Sequence, residues 1–258
     1  MTAEIIVERC MGALELLSIE ARGLPLTTIA QKLGLIKSGA HRLLNELQRD
    51  GFVTQDSNTQ HYRLTMRFPT LGFRYLSATG IVDRAMPHLR DLAAMTGELV
   101  RMTVADVGML TWVAKAQGAQ SRLRFDPDMG GNVRLHTTAS GKAWLATMEK
   151  AEALVLARTS GLGNGELRGP RTILTEVQFL KELESTRKKG YGIAINEDEA
   201  GMSAVAVNII RSSDEGKVLG TLSVAGPTVR LDRERLTLLA ASLEITATAI
   251  ADEWPVQY

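Results

Sequence analysis

The sequence of residues 37–49 is KSGAHRLLNELQR, in which apolar side chains recur every three or four positions. This spacing predicts a helix from about Lys37 to Asp50 that Gly51 ends. Its apolar stripe consists of Ala40, Leu43, Leu44 and Leu47. The side chains largely off that stripe can donate to phosphates or contact base edges, and they are Lys37, Ser38, His41, Arg42, Asn45 and Arg49.

Two further helices are predicted before this segment. Apolar residues at helical spacing indicate one over residues 4–20, which a Gly-Leu-Pro sequence ends. A short helix is predicted over residues 26–33, and Gly34 begins the tight connection to the next helix. A short helix, a glycine turn and a helix with a basic outer face are typical of a helix-turn-helix.

The pattern changes to strand-like after Gly51. Residues 52–55 and 62–65 predict two short strands, and the polar residues 56–59 supply the turn between them. A hairpin directly after a recognition helix is the wing of a winged helix-turn-helix. His61 and Arg63 of this hairpin are therefore expected to approach the DNA backbone or a minor groove.

A second interpretation stays open from these patterns alone. Three short helices and a hairpin also occur in protein-interaction modules, and a polar helix face is often only solvated. The net charge of +1 does not itself indicate nucleic acid, although a local basic face can act within a neutral chain. On this alternative, the chain is a small-molecule-binding or hydrolytic domain that carries a helical protein-interaction module.

Length and composition are those of a two-domain globular protein. The chain has 258 residues, of which 45% are hydrophobic and 23% charged. It contains no apolar run of the roughly 18–20 residues that cross a bilayer, and its N-terminus lacks the features of a signal peptide. Cys10 is the single cysteine, so no internal disulfide can form. We therefore expect a cytoplasmic protein with no membrane partner.

The remaining chain alternates helix-like and strand-like patterns, which predicts an α+β domain. Helices are expected over residues 81–95 and 177–189, from about Thr138, and after Asp232. A hairpin is expected within residues 98–116, and a strand pair over 204–210 and 218–225 with its turn at 212–216. The predicted organisation is a DNA-binding domain over residues 1–65, a connecting helix over 66–79 and a second domain over 80–258.

No pattern indicates an enzyme, a metal site or a cofactor. Gly141-Lys142 lacks the other residues of a phosphate-binding loop, and Ala139-Ser140-Gly141 lacks the first glycine of a nucleophile elbow. The four histidines show no metal-ligand spacing, and His136 is expected to be structural. The acidic run 197–199 is expected to be a solvated loop, with a metal or pocket role as the alternative. Trp112 is expected to be a core residue rather than a platform on which a ligand stacks. Arg122 and Arg124 are expected on a solvated edge strand, with attraction of an anionic effector as the alternative.

The N-terminal stretches LTTIAQKLGL (26–35), KSGAHRLLNEL (37–47), GFV (51–53) and YRL (62–64) resemble the winged helix of the IclR family of bacterial transcription regulators. The similarity continues through TGE (96–98), LHTTASGKA (135–143), RKKGY (187–191), Glu197, Gly201 and LSVAGP (222–227). The resemblance implies a transcription regulator whose C-terminal α+β domain is GAF-like and binds a small-molecule effector. It also implies assembly as dimers or pairs of dimers.

The resemblance further implies an effector pocket lined by Thr138, Ala139, Ser140, Asn196, Glu197, Ala204, Asn208, Ser223 and Ala225. Three positions depart from the family pattern, since Ala204, Asn208 and Ala225 stand where cysteine, proline and serine are common. Two of these changes make the pocket larger and less polar. Hydroxyls and the loop amides before the helix at 138 are expected to bind a carboxylate. We therefore expect a small organic acid with an apolar or aromatic body, larger than a two- or three-carbon acid.

The expected macromolecular partner is double-stranded DNA. A single helix-turn-helix covers few base pairs and usually gains affinity and specificity through a two-fold dimer. The sequence therefore predicts a homodimer or homotetramer on an inverted-repeat operator.

Overall fold

The structure is a computed structural model that describes residues 3–127, 129, 131, 133–211 and 216–255. The chain divides into two compact units, Met1–Thr79 and Gly80–Tyr258. Residues 212–215 of the predicted turn lie outside the described residues. None of the helices within the described ranges is long and apolar enough to cross a membrane.

The first unit is a winged helix-turn-helix, as the sequence predicted. Its elements are α1 (Ala3–Ser18), α2 (Leu26–Lys32), α3 (Lys37–Arg49), β1 (Val53–Gln55), β2 (Tyr62–Leu64) and α4 (Arg67–Thr79). The apolar stripe of α3 is directed inward, with Ala40 and Leu44 fully buried. Leu44 packs with apolar side chains from the other elements, which include Leu17, Ile29 and Tyr62.

A tight contact fixes the hairpin of this unit to the α1–α2 connection. Leu24 and Tyr62 exchange backbone hydrogen bonds of 2.9 and 2.8 Å. Gly23 beside them has φ +78°, and a Cβ at this position would lie 2.5 Å from the Tyr62 carbonyl oxygen. A glycine is therefore required here both for the backbone conformation and for the approach of the strand.

The second unit is an α+β domain, as predicted. Its elements are α5 (Ile81–Thr96), β3 (Leu99–Asp106), β4 (Met109–Gln117), α6 (Ala139–Leu145), α7 (Lys150–Thr159), α8 (Glu176–Lys189), β5 (Gly192–Ile195), β6 (Met202–Ile210), β7 (Val218–Pro227) and α9 (Arg233–Asp252). The described strands form an antiparallel sheet in the order β4-β3-β7-β6-β5. Helix α7 and strand β5 were not expected from the sequence. The expected edge strand at Arg122 and Arg124 is wrong, because neither residue is in a strand.

The two faces of the sheet are covered differently. On one face, side chains such as Val205, Val207 and Leu222 form a core with α5 and α9. On the opposite face, Ala206 packs against Ala139 and Ala143 of the short helix α6. The side-chain alternation along each strand therefore assigns every second residue to the α6 face, where the candidate site lies.

Candidate functional sites

The outer face of α3 is exposed along its whole length. All six polar residues that the sequence placed on it are exposed: Lys37, Ser38, His41, Arg42, Asn45 and Arg49. Arg49 forms an ion pair with Glu46, and Asn45 Nδ2 lies 3.4 Å from His41 Nδ1. Among the described residues, Lys37 and Arg42 form no ion pair. This face therefore offers two unengaged cations beside a pair of hydrogen-bonding side chains.

The hairpin after α3 is held by its own turn. The carboxylate of Asp56 accepts hydrogen bonds from the backbone nitrogens of Asn58 and Thr59 at 3.0 and 2.8 Å. These bonds, with one from the Thr59 hydroxyl, lower the pKa of Asp56. Arg63 is exposed on β2, and His61 just before it is half-buried. The turn therefore fixes the strand that carries Arg63.

A cavity lies in the second unit between α6 and its face of the sheet. Its volume is about 40 Å³, and the empty space is about 450 Å³ when the open mouth is included. The lining residues are Arg101, Trp112, Phe125, Thr137, Thr138, Ala139, Ser140, Ala194, Glu197, Asp198, Glu199, Met202, Ser203, Ala204, Ser223 and Ala225. All of the sequence-predicted effector residues except Asn196 and Asn208 are among them.

Asn196 and Asn208 lie outside this cavity, which corrects their expected position. Asn196 has φ +56°, and its Oδ1 accepts from Gly201 N at 2.6 Å, so it shapes the β5–β6 turn. Asn208 shares a strand face with Ala204 but stands about 14 Å further along, since a strand advances about 3.4 Å per residue. Helix α6 covers the strand between them, and Asn208 Nδ2 donates to Ala143 O at 2.8 Å. Its amide therefore holds α6 at the end remote from the cavity.

Glu197 is part of a buried ion pair, so the expectation that the acidic run is wholly solvated is wrong. Its side chain is 12% exposed, and its partner Lys142 is 0% exposed. Lys142 Nζ lies 2.8 and 2.9 Å from the two Glu197 oxygens and 3.3 Å from Glu182 Oε1. Burial raises the pKa of Glu197, and the Lys142 ammonium opposes that rise. The Glu197 carboxylate is therefore already paired with the Lys142 ammonium.

Most other polar groups of the cavity wall also have protein partners. Asp198 Oδ1 accepts from Arg134 Nη1 at 3.2 Å and from Thr137 Oγ1 at 2.7 Å. Thr138 caps α6, accepting from Gly141 N at 3.1 Å and donating to Arg134 O. Ser223 Oγ donates to Arg101 O at 3.4 Å. By contrast, the buried hydroxyl of Ser140 has no hydrogen-bond partner among the described residues.

Arg101 is the residue of this cavity that the sequence analysis missed. Its guanidinium carbon lies 3.7 Å from the ring centroid of Trp112 and 5.4 Å from that of Phe125. Its Nε is buried and has no hydrogen-bond partner within the part of the chain that the structure describes. Burial lowers the pKa of Arg101 to about 10, which the nearby Asp198 partly offsets. Because this value is well above 7, the cavity wall carries a cation at neutral pH.

Trp112 is buried, as expected, and also borders the cavity. In the sequence, the only indication of Arg101 was its position as a single basic residue within the apolar run LVRMTV of residues 99–104.

His136 is buried, and burial lowers its pKa. Within the described ranges, no group of His, Cys, Asp and Glu side chains is placed to hold a metal ion.

Comparison with protein-family models finds a match in each of the two units. The model "Bacterial transcriptional regulator IclR C-terminal" matches residues 73–252, and "IclR helix-turn-helix domain" matches residues 6–57. The HTH-type transcriptional regulator XynR of Escherichia coli (strain K12) is 27% identical over 252 residues, which are 95% of each chain.

Solved structures share the fold over nearly the whole chain. An IclR transcriptional regulator from Alicyclobacillus acidocaldarius has a TM-score of 0.81 at 26% identity, covering 96% of this chain and 97% of that one. An IclR homolog from Microbacterium hydrocarbonoxydans, solved as a complex with 4-hydroxybenzoate, has a TM-score of 0.75 at 23% identity. That alignment covers 96% of this chain and 98% of the other.

Proposed function

The chain belongs to the IclR family of bacterial transcriptional regulators, and from this premise we propose that a small organic acid in its C-terminal cavity controls its binding to an inverted-repeat operator. As a member, it is a DNA-binding transcription regulator with a C-terminal effector-binding domain, and it is not an enzyme. The alternative of a hydrolytic domain with an interaction module is therefore wrong. Since a bacterial operator lies in the cytoplasm, we place the protein there.

The proposed DNA contacts come from α3 and the wing. Lys37 and Arg42 contact phosphates, since both are exposed and unengaged among the described residues. His41 and Asn45 contact base edges, because their side chains are adjacent on the same exposed face. Ser38 and Arg49 are proposed to contact the DNA backbone, and His61 and Arg63 are proposed to contact the backbone or a minor groove. Arg49 is the weakest of these, because it must leave Glu46 to reach a phosphate.

The proposed domain organisation places the DNA-binding domain at 1–65, a connecting helix at 66–79 and the effector-binding domain at 80–258. It is supported by the start of α4 at Arg67 and by Gly80, which has φ +65° between α4 and α5. The proposed assembly is a homodimer or homotetramer. Sedimentation at micromolar concentration tests it, and a monomer with full operator affinity contradicts it.

One observation carries the assignment of an acid as the effector. Among the described residues that line the cavity, Arg101 is the one cation and forms no ion pair, although Asp198 lies near enough to favour its charged form. Of the three lining carboxylates, Glu197 and Asp198 are paired with other cations and Glu199 is exposed to solvent. A buried charge without a partner is costly, and an anionic ligand removes that cost. The complex of the Microbacterium homolog with 4-hydroxybenzoate is consistent with such a ligand.

A thermal-shift screen of organic and aromatic acids on the full chain tests the proposal. A ligand of the folded state raises the unfolding temperature with its concentration. Each hit is then added to a labelled duplex from the region upstream of the gene for this chain. An acid that shifts both unfolding and operator affinity supports the proposal, whereas a hit list made only of neutral compounds or metals contradicts it.

A further inference from the structure

Three alanines form a flat apolar row across the sheet at the cavity. Ala194 of β5 pairs with Ala204 of β6, and Ala204 pairs with Ala225 of β7, so all three share one face. Neighbouring strands are about 4.8 Å apart, which makes this row about 10 Å wide. All three residues line the cavity. A row of methyl groups of this width fits the face of a planar ring.

The cation of the cavity lies one step along the sheet from this row. Arg101 pairs with Ser223 of β7, two residues from Ala225, and therefore points to the same face of the sheet. Its guanidinium stacks on Trp112 at 3.7 Å, which leaves the N–H groups at its edge available. On the α6 side, Ser140 is 1% exposed and its hydroxyl has no hydrogen-bond partner in the described ranges. Two polar groups without partners thus line the same small cavity.

We propose that the effector is a planar aromatic carboxylate, whose carboxylate is bound by Arg101 and Ser140 and whose ring lies over the alanine row. This inference rests on the proposed function, because it names the ligand class of the same cavity. Other groups are poorer anion partners. Helix α6 has only seven residues, and the Thr138 hydroxyl already accepts the Gly141 amide.

The size of the cavity sets the orientation of this ligand. A cavity of about 150 Å³ is known to hold a benzene ring. The cavity volume of about 40 Å³ is smaller than this, so the cavity does not enclose the whole ligand. Because Ser140 is 1% exposed and Arg101 is largely buried, the carboxylate is placed in the enclosed part of the cavity and the ring extends along the alanines toward its open side.

Calorimetric titration of the full chain tests the ligand class with three probes. 4-Hydroxybenzoate provides a ring and a carboxylate, 4-hydroxybenzamide is its neutral isostere, and 4-hydroxycyclohexanecarboxylate keeps the charge without a flat ring. We expect 4-hydroxybenzoate to bind about 10- to 100-fold more tightly than the amide, because bonds to a charged group are lost. The saturated analogue is also expected to bind more weakly, since it cannot lie flat on the row.

Variants assign the contacts. R101M is expected to lose about 10- to 100-fold in affinity for 4-hydroxybenzoate, and R101K is intermediate because it keeps the charge without the planar fork. S140A is expected to lose about 2- to 10-fold. It removes no side-chain hydrogen bond between described residues, so we expect the fold to be retained. R90M, which replaces an exposed arginine of α5 that does not line the cavity, is the matched control.

The inference is overturned if 4-hydroxybenzoate does not bind the parent, if the amide binds equally well, or if R101M and S140A both retain parental affinity. Failure of the proposed function has a different signature. In that case, 4-hydroxybenzoate binds with the expected dependence on Arg101, but neither it nor any other acid alters operator affinity.

Discussion

Replacing Lys142 by Met tests whether its buried ion pair holds the cavity wall together. The ammonium is wholly buried, and Glu197, the residue next to Asp198, is its closest partner at 2.8 Å. K142M keeps an apolar side chain of similar length but leaves the Glu197 carboxylate buried without a cation. Removing one partner of a buried pair costs about 3–5 kcal/mol, because the remaining charge stays desolvated.

Two considerations limit this loss of stability from above. At 2.8 Å and an effective dielectric constant of about 20, the attraction between two unit charges is about 6 kcal/mol, which is an upper bound. Protonation of Glu197 reduces the loss, since a neutral carboxyl needs no cation. For a domain of this size, about 3–5 kcal/mol corresponds to a fall of roughly 10 °C in unfolding temperature.

The loss depends on pH with a definite sign. Burial already raises the pKa of Glu197 above its ordinary 4.5, and removal of Lys142 raises it further. A carboxyl whose folded-state pKa is raised favours the folded state below its unfolded pKa, and this advantage disappears as pH rises through the folded pKa. The destabilisation of K142M is therefore expected to be small near pH 4.5 and to grow toward neutral pH.

Tryptophan fluorescence during urea unfolding reports on the second structural unit, which contains this ion pair. The three tryptophans, Trp112, Trp144 and Trp254, all lie after residue 80. The double variant K142M/E197Q removes both charges and is expected to recover most of the lost stability. K188M, which breaks an exposed pair with Glu184, is the control and changes stability by less than about 0.5 kcal/mol. A K142M loss below 1 kcal/mol at pH 7, or one independent of pH, refutes the reasoning.

Three further outcomes are expected. R42A weakens operator binding and, if Arg42 contacts one phosphate, reduces the slope of log affinity against log salt concentration by about 0.9. R49A has a smaller effect because the Arg49 guanidinium is paired with Glu46. Equal slopes for R42A and the parent contradict the assignment. Ser223→Val puts a larger, apolar side chain on the cavity wall, so it lowers effector affinity in calorimetry while effector-free operator binding stays parental. Unchanged affinity in both Ser223→Val and Ser140→Val places the ligand elsewhere. Val107→Asn raises the unfolding free energy by about 1 kcal/mol. Val107 has φ +44°, a strained conformation for valine, in a two-residue hairpin turn that favours Asn-Gly. A loss of stability in this variant contradicts the presence of backbone strain at Val107.

The sequence predicted those elements whose periodicity is strong. The α3 stripe of Ala40, Leu44 and Leu47 repeats at helical spacing, so the recognition helix and its exposed face followed from pattern alone. Strand β5 was missed because its four residues are all buried and show no alternation. Helix α7 was missed because it buries only Ala153 and Ala157 and its apolar residues mark no clear stripe.

The parts of the site that the sequence could not give depend on contacts between distant residues. Arg101 is a single cation in an apolar strand, and the rings beside it come from β4 and from the loop that carries Phe125. The Lys142–Glu197 pair joins residues 55 positions apart. Asn208 was expected in the pocket because the family resemblance places the strand from Ala204 to Asn208 there. Where α6 crosses β6 is set by packing and not by local pattern, and in the structure the Asn208 amide binds α6 instead.

Operator affinity measured with and without acid tests the central claim most directly. Fluorescence anisotropy of a labelled operator duplex is followed with the parent, R101M and R90M as 4-hydroxybenzoate is added. We expect the acid to change the apparent Kd of the parent and of R90M about 5- to 150-fold, the usual range for coupled sites, and to leave that of R101M unchanged. A parent that ignores every acid of the panel, or an R101M response equal to that of the parent, contradicts control through this cavity.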